Sequence, residues 1–212
     1  IPLFGFDHCV HAIEVVCWIE DEYSRSEYGH PGLNLSLDVR DGILKHMYER
    51  DYNCERPNSH ILSVVEFDKY AIYQNNKGSL EAQCVYFADK IAYLFGDIED
   101  GLRCHVFPCD DLKIDPFINE IWKLYSEKRS STPNALKLTD VNDFLEVRRK
   151  ALTGMILDCI EYAKQEIQKM KFTTVEDVLR RNIRLVWVSE ELSGQWEKFY
   201  DTWLRKNLFR HH

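Results

Sequence analysis

Apolar residues recur along most of this chain at intervals of three and four, the period of a helix that buries one face. Asp7 can cap a first helix from about His8 to Glu20, with Val10, Ile13, Val16 or Cys17, and Ile19 turned inward. The run between Tyr23 and Leu33 is loop chemistry, with Gly29, Pro31 and Gly32 close together. Ser36 then caps a second helix from about Leu37 to Tyr48, with Val39, Ile43, Leu44 and Met47 toward the core. Asp51 to Gly78 holds no sustained period and reads as a loop region with room for one brief strand or helix, the ILSVV run included. Ser79 caps the helix Leu80 to Arg103, whose Leu80, Cys84, Val85, Phe87, Ala88, Ile91, Ala92, Leu94 and Phe95 are apolar enough to bury most of its circumference.

The second half continues in helices. Asp115 and Pro116 supply an N-cap followed by a proline in the first turn, opening a helix to about Lys128. A polar linker around Ser130 to Asn134 separates it from the longest periodic segment, from Thr139 or Asp140 to about Lys169. Its inner residues are Phe144, Leu145, Ala151, Leu152, Met155, Ile156, Cys159, Ile160 and Ala163. Thr174 and Asp177 have the spacing of a capping box. The stretch Arg184 to Val188, RLVWV, suits a strand or a buried connection, and Ser189, Glu190 and Glu191 open a last helix. There Leu192, Trp196, Phe199, Trp203 and Leu204 form a broad apolar stripe, most simply core or subunit interface.

The helix Leu80 to Arg103 also carries the chain's densest polar pattern. Asp89, Tyr93 and Asp97 are spaced i, i+4, i+8, within roughly 80° of one another on a helix, and Lys90 flanks them. A carboxylate on a buried helix is costly to desolvate unless a cation, metal or donor meets it. Asp89 is therefore either a metal-ligand or active-site candidate, or a residue that pairs with an arginine or caps a neighbouring helix. Gly96 costs about 1 kcal/mol in a helix interior, which points to a kink or a close approach of ligand or backbone. His8, Cys9 and His11 could suggest zinc, but only the histidines have a helical spacing and no paired ligands follow, so the triplet is rejected. Cys104, His105 and Cys109 likewise lack a second ligand pair.

The chain's 212 residues fit one domain with room for an appendage, and 45% hydrophobic with 29% charged residues is ordinary for a soluble globular protein. No apolar run nears the roughly 20 residues of a membrane span. Seven cysteines without regular pairing suggest reduced thiols and a cytoplasmic location. A net charge of -8 argues against a general nucleic-acid groove, though not against a nucleotide, whose phosphates need only local cations and a metal.

Four segments carry a resemblance: FGFDHCVHAIEVV, GLNLSLDVRDGILKH, SLEAQCVYFADKIAYLFGDIEDGLR and SEELSGQWEKFYDTWLRKNLFRH. In this order they resemble the deoxynucleoside triphosphate triphosphohydrolases, the dGTPase branch of the HD-domain phosphohydrolases. The count of helices, with at most one or two short strands, gives an all-α helical bundle, and the resemblance implies that it is of HD-domain type. Residues 1–110 would be the C-terminal part of the HD core and 111–212 a helical region packing on it. It implies hydrolysis of a dNTP to deoxynucleoside and tripolyphosphate, with a divalent metal, Mn²⁺, Mg²⁺ or Fe²⁺, and assembly as a homo-oligomer. By the same resemblance Asp89 is a metal ligand and His8 a general acid/base or phosphate contact. Lys45 reaches the triphosphate, Lys90 and Tyr93 meet phosphate or ribose, and Asp97 accepts from the sugar hydroxyl. Arg148 or Arg149 is a further phosphate contact or part of a solvated pair.

The family's upstream His and His-Asp pair would precede Phe4, so the N-terminal half of the HD domain is expected outside this chain. Cys9 and His11 stand where the family motif carries Asn and Gln. Lys45, in a last helical turn, also suits the helix dipole. A non-catalytic HD-like regulatory or assembly module is the alternative reading.

Overall fold

Of the polar residues that the sequence places at helix starts, Ser36, Ser79, Asp115 and Asp140 accept backbone hydrogen bonds there, whereas the Ser189 side chain does not, and Asp7 and Thr139 lie outside the described residues. Ser36 Oγ accepts from Val39 N at 3.4 Å and Ser79 Oγ from Ala82 N at 3.2 Å. Asp115 accepts from Phe117 N at 2.8 Å, and Asp140 from Asn142 N and Asp143 N at 2.8 and 3.0 Å. These are the orphan donors of a first turn. The Thr174–Asp177 box also forms, with Asp177 Oδ2 accepting from Thr173 N and Thr174 N while Thr174 Oγ1 accepts from Asp177 N.

The computed structural model describes residues 8–20, 32–46, 77–113, 115–121, 140–181 and 183–209. The elements are α1 (His8–Glu14), continued by the wider π-helical turn Val15–Ile19, and α2 (Leu37–Lys45). Next come α3 (Leu80–Arg103), α4 (Cys109–Lys113), α5 (116–121) and α6 (Val141–Met170). They end with α7 (Val175–Arg181) and α8 (Glu190–Phe199), the latter continued as π-helix over Tyr200–Phe209. No strand occurs among the described residues, and the chain is all-α. Arg184 to Val188 is a buried connection, not a strand. The loop predicted from Tyr23 up to residue 31, the ILSVV run, the polar linker at 130–134, Met47, the Val10 side chain and the helix opened by Asp115 beyond residue 121 lie outside the described residues.

Two compact units divide the chain. The first is Ile1–Tyr86 with Phe172–Arg184. In it α1 packs on α2, with Cys9, Ile13, Leu44, Ala82, Tyr86 and Val178 buried. Gln83 is buried and its amide nitrogen donates to the carbonyls of Gly78 and Ile183, both at 3.3 Å, so its polarity is met by backbone. The Arg184 guanidinium lies 3.5 Å over the Tyr86 ring, a cation–π contact that also covers the ring's face.

The second unit is Phe87–Lys171 with Leu185–His212. Its share of α3 buries Phe87, Ile91, Leu94, Phe95, Ile98 and Leu102, a stripe at helical spacing. α6 contributes Phe144, Val147, Ala151, Met155 and Cys159. The last helix turns Leu192, Trp196, Phe199 and Leu204 inward. Its aromatics are spent inside this unit: Trp187 stacks on Trp196 at 4.9 Å, Phe199 on Phe117 at 5.2 Å and on Trp203 at 5.3 Å. Phe107 meets Trp203 edge-on at 4.7 Å. Each such pair adds about 0.5–1.5 kcal/mol beyond the area it buries. Ser189 opens α8 by its backbone: its N–H donates to Asp158 Oδ2 on α6 at 2.8 Å.

Several apolar positions predicted to face inward do not. Cys84, Val85, Ala88 and Ala92 lie exposed along α3, so this helix buries a stripe and not most of its circumference. Ile19, Val39, Ile156 and Ile160 are exposed as well. A helix can be buried only where a neighbour covers it, and the apolar arc in the sequence is wider than the covered one. Val147 and Gly154, which the periodic reading passed over, are buried in α6.

At Gly101 a Cβ would stand 2.5 Å from the Phe107 ring and 3.0 Å from Leu208. Gly101→Ala should therefore cost about 1–3 kcal/mol through overpacking, against a gain in helix propensity below 1 kcal/mol. Denaturant titration followed by circular dichroism measures the balance, and an unchanged or raised midpoint would show that the ring yields freely.

Candidate functional site

The predicted site residues fall in both units. In the first, His8 stands exposed at the start of α1, followed by the buried Cys9. Cys9 Sγ lies 3.4 Å from His8 Nε2 and 3.8 Å from Nδ1 of His46, just past the end of α2. The two imidazoles meet edge-on, with ring centroids 5.3 Å apart. His11 points elsewhere, pairing with Glu14 at 3.2 Å on the surface.

Lys45 ends α2 and its ammonium donates to Asp41 Oδ2 at 2.9 Å, with only 8% and 5% of the two side chains exposed. Burial dominates both ionisations: it pushes the Asp41 carboxyl up and pulls the Lys45 ammonium down, while each partner's charge offsets part of the other's shift. Asp41 Oδ1 is buried without a hydrogen-bond partner among the described residues. Removing one member of such a pair leaves an uncompensated charge and costs about 3–5 kcal/mol. The α2 dipole thus accounts for only part of the Lys45 environment, and the buried Asp41 carboxylate is its defining neighbour.

In the second unit Asp89, Tyr93 and Asp97 follow one another up α3, with Lys90 beside them. Asp89, Lys90 and Asp97 are half-buried and Tyr93 is 59% exposed. The stripe lies between the covered face of the helix and the exposed apolar positions Val85, Ala88 and Ala92. One oxygen of Asp97, Oδ2, is buried and has no hydrogen-bond partner among the described residues. Burial first, and the charge of Asp100 second, hold its carboxyl above the usual carboxylate range. The Asp97 charge in turn is the largest of the causes that raise the Tyr93 phenol, ahead of burial and of Tyr200 and Asp89. Tyr93 therefore remains a hydrogen-bond donor at neutral pH, next to an acceptor with an unused lone pair.

Gly96, between these residues, has open space where a Cβ would stand, and α3 continues through it without a break. No described protein atom approaches closely there. Of the basic helix residues, Arg148 forms an ion pair with Glu99, which also accepts from Arg103 Nε at 2.8 Å. Arg148 is thus engaged within its unit, while Arg149 is exposed.

Among the described residues the one group of three ligating side chains within reach of a common ion is His8, Cys9 and His46, and Asp89 is not part of it. A hard divalent cation takes six or more oxygens, so the described carboxylates around Asp89 do not make such a site by themselves. Cys104, His105 and Cys109 do not converge on a common point either. Sequence reasoning missed Asp41 and His46. The Asp41–Lys45 spacing of four was a readable signal, whereas His46 joins Cys9 across 37 positions and no local pattern announces that.

An all-α chain with a helix that carries two carboxylates and a tyrosine on one stripe is matched, over nearly its whole length, by triphosphohydrolase-like proteins. It is 32% identical over 210 residues, 98% of its length, to the deoxyguanosinetriphosphate triphosphohydrolase-like protein of Brucella anthropi, of which it covers 50%. To the proteins of the same name from Azoarcus sp. and Agrobacterium fabrum it is 31% and 28% identical, covering 98% and 100% of this chain and 49% of each relative. No family model matches the chain. The chain belongs to the deoxyguanosinetriphosphate triphosphohydrolase-like family and spans about half the length of the curated relatives it matches. No helix among the described residues is long and apolar enough to cross a membrane.

The raised Asp97 ionisation sets the sign of a stability change. A carboxyl that holds its proton more tightly folded than unfolded contributes most at low pH, and that contribution is lost as pH rises through the raised pKa. Asp97→Asn should therefore raise the melting temperature at pH 7 and narrow the difference between pH 4 and pH 7. Scanning calorimetry at both values measures it, and a variant less stable than the parent at pH 7 would mean that a favourable partner meets the carboxylate.

Proposed function

We propose that this chain is part of a hydrolase that converts a deoxynucleoside triphosphate to deoxynucleoside and tripolyphosphate. The observation that carries this reading is the buried, unpartnered Asp97 Oδ2 with a protonated Tyr93 beside it. An acceptor held open and a donor one helical turn away suit a sugar: Asp97 accepts from the 3′-hydroxyl, and the Tyr93 ring excludes bulk at the 2′ position. Lys90 and Lys45 supply positive charge to the phosphates, Lys45 with its charge already shared by Asp41. His8, exposed at a helix start, transfers a proton to or from the ester.

Asp89 provides one hard oxygen toward a divalent ion, Mn²⁺, Mg²⁺ or Fe²⁺, whose chemistry when bound is to polarise the phosphate and activate water. The expected homo-oligomer and the HD-type arrangement belong to the same reading. A second reading, a non-catalytic HD-like module, is favoured by the Asp41–Lys45 pair, because a lysine already neutralised by a buried carboxylate is a weak phosphate ligand.

The full protein, given each dNTP with Mn²⁺, should release tripolyphosphate, and Asp89→Ala should lower that rate at least about a hundredfold, the scale of losing one preorganised charge contact. Equal release by the variant removes Asp89 from the site, and no release by the parent leaves the non-catalytic module. Gly96→Ala separates site from scaffold. Open space at this position predicts a gain in stability of about 0.5–1 kcal/mol. If the gap serves the substrate, KM rises several-fold in the firmer protein; an unchanged KM would place Gly96 outside the site.

A further inference from the structure

Cys9 is the one thiol of the described residues that stands between two imidazoles, and its surroundings differ from those of a packed core cysteine. Its sulfur is 3.4 Å from His8 Nε2 and 3.8 Å from His46 Nδ1. A tetrahedral zinc ion, with about 2.3 Å to sulfur and about 2.05 Å to nitrogen, sets its sulfur and nitrogen ligands about 3.6 Å apart. Both observed separations lie close to that edge. All three ligand atoms fall within 4.8 Å of one another, so a small closing motion of the two imidazoles completes the triangle.

Burial is graded across the group: Cys9 is 1% exposed, His46 half-buried and His8 exposed. A buried sulfur with one exposed imidazole beside it suits an open three-ligand site better than a closed structural one.

From this geometry we propose that His8, Cys9 and His46 form a site for a borderline-soft divalent metal ion, zinc foremost. The donor set selects the ion. Thiolate and imidazole suit zinc, whereas magnesium and calcium require oxygen. On binding, the Cys9 thiol releases its proton to solvent as the metal–sulfur bond forms, and His46 gives up the Nδ1 proton it donates to the Ile43 carbonyl and takes one at Nε2, which frees the Nδ1 lone pair for the ion. His8 closes the site from the surface, where its exposed ring is free to reorient. The site goes beyond the triphosphohydrolase reading and shares one residue with it, because an ion there would occupy the His8 nitrogen that the proton-transfer role needs.

Cobalt(II) is the probe, because its spectrum reports both coordination geometry and sulfur ligation without any turnover. The full protein, stripped of metal by a chelator, is titrated with Co²⁺. One ion per chain is expected, with the intense visible bands of a tetrahedral site and a sulfur-to-cobalt charge-transfer band in the near ultraviolet. Cys9→Ser should abolish the charge-transfer band, and the exposed Cys104→Ser should leave it intact. His8→Gln, at an exposed position, should weaken cobalt binding at least tenfold even if the Cys9 variant fails to fold.

The weak spectrum of octahedral aquo-cobalt, a charge-transfer band that persists in Cys9→Ser, or full affinity in His8→Gln each overturns the site. None of these outcomes bears on tripolyphosphate release, so failure here and failure of the hydrolase reading remain distinct.

Discussion

The buried stripe of α3 constrains everything else that this chain can do. Phe87, Ile91, Leu94, Phe95, Ile98 and Leu102 must face their unit's core, and a helix that turns about 100° per residue then has no freedom left in where it carries the rest. Asp89, Tyr93 and Asp97 are held along the margin of that stripe. Asp97 lies close enough to the core to lose solvent from one oxygen, and Tyr93 far enough to remain exposed. The chemistry proposed for these residues depends on that half-buried position. A fully exposed carboxylate would be satisfied by water, and a fully buried one would need a cation.

The same cost of removing charge from water organises the first unit. Asp41 and Lys45 lie four positions apart on α2 and are nearly enclosed, so neither can change without exposing the other to an unsatisfied interior. Beside them the end of α2 brings His46 to Cys9 and His8. One helix thus ends with a neutralised cation and, one residue on, a metal-capable imidazole.

Family membership and geometry contribute differently. The similarity extends over nearly the whole chain and fixes the kind of protein, while the chain's span of about half its relatives' length makes the complete activity a matter for experiment. The local structure contributes an open acceptor, a protonated phenol and a vacant glycine position on one helix. It also supplies a thiol between two histidines that the motif comparison alone would treat as a departure from pattern.

The sequence by itself determined the helical class, the positions of the caps at Ser36, Ser79, Asp115 and Asp140, the Thr174–Asp177 box and the inward stripe of the last helix. These follow from hydrogen bonds and periodicities that span a few residues. It also placed Asp89, Tyr93 and Asp97 on one stripe, because helical spacing is local. Only the tertiary structure decided that Cys84, Val85, Ala88 and Ala92 are uncovered, that Val147 is buried and that Lys45 is matched by a buried Asp41. It alone joined His46 to Cys9. Burial depends on what another element covers, and a contact between positions 9 and 46 depends on how two helices pack; neither quantity is written in the spacing of a single segment.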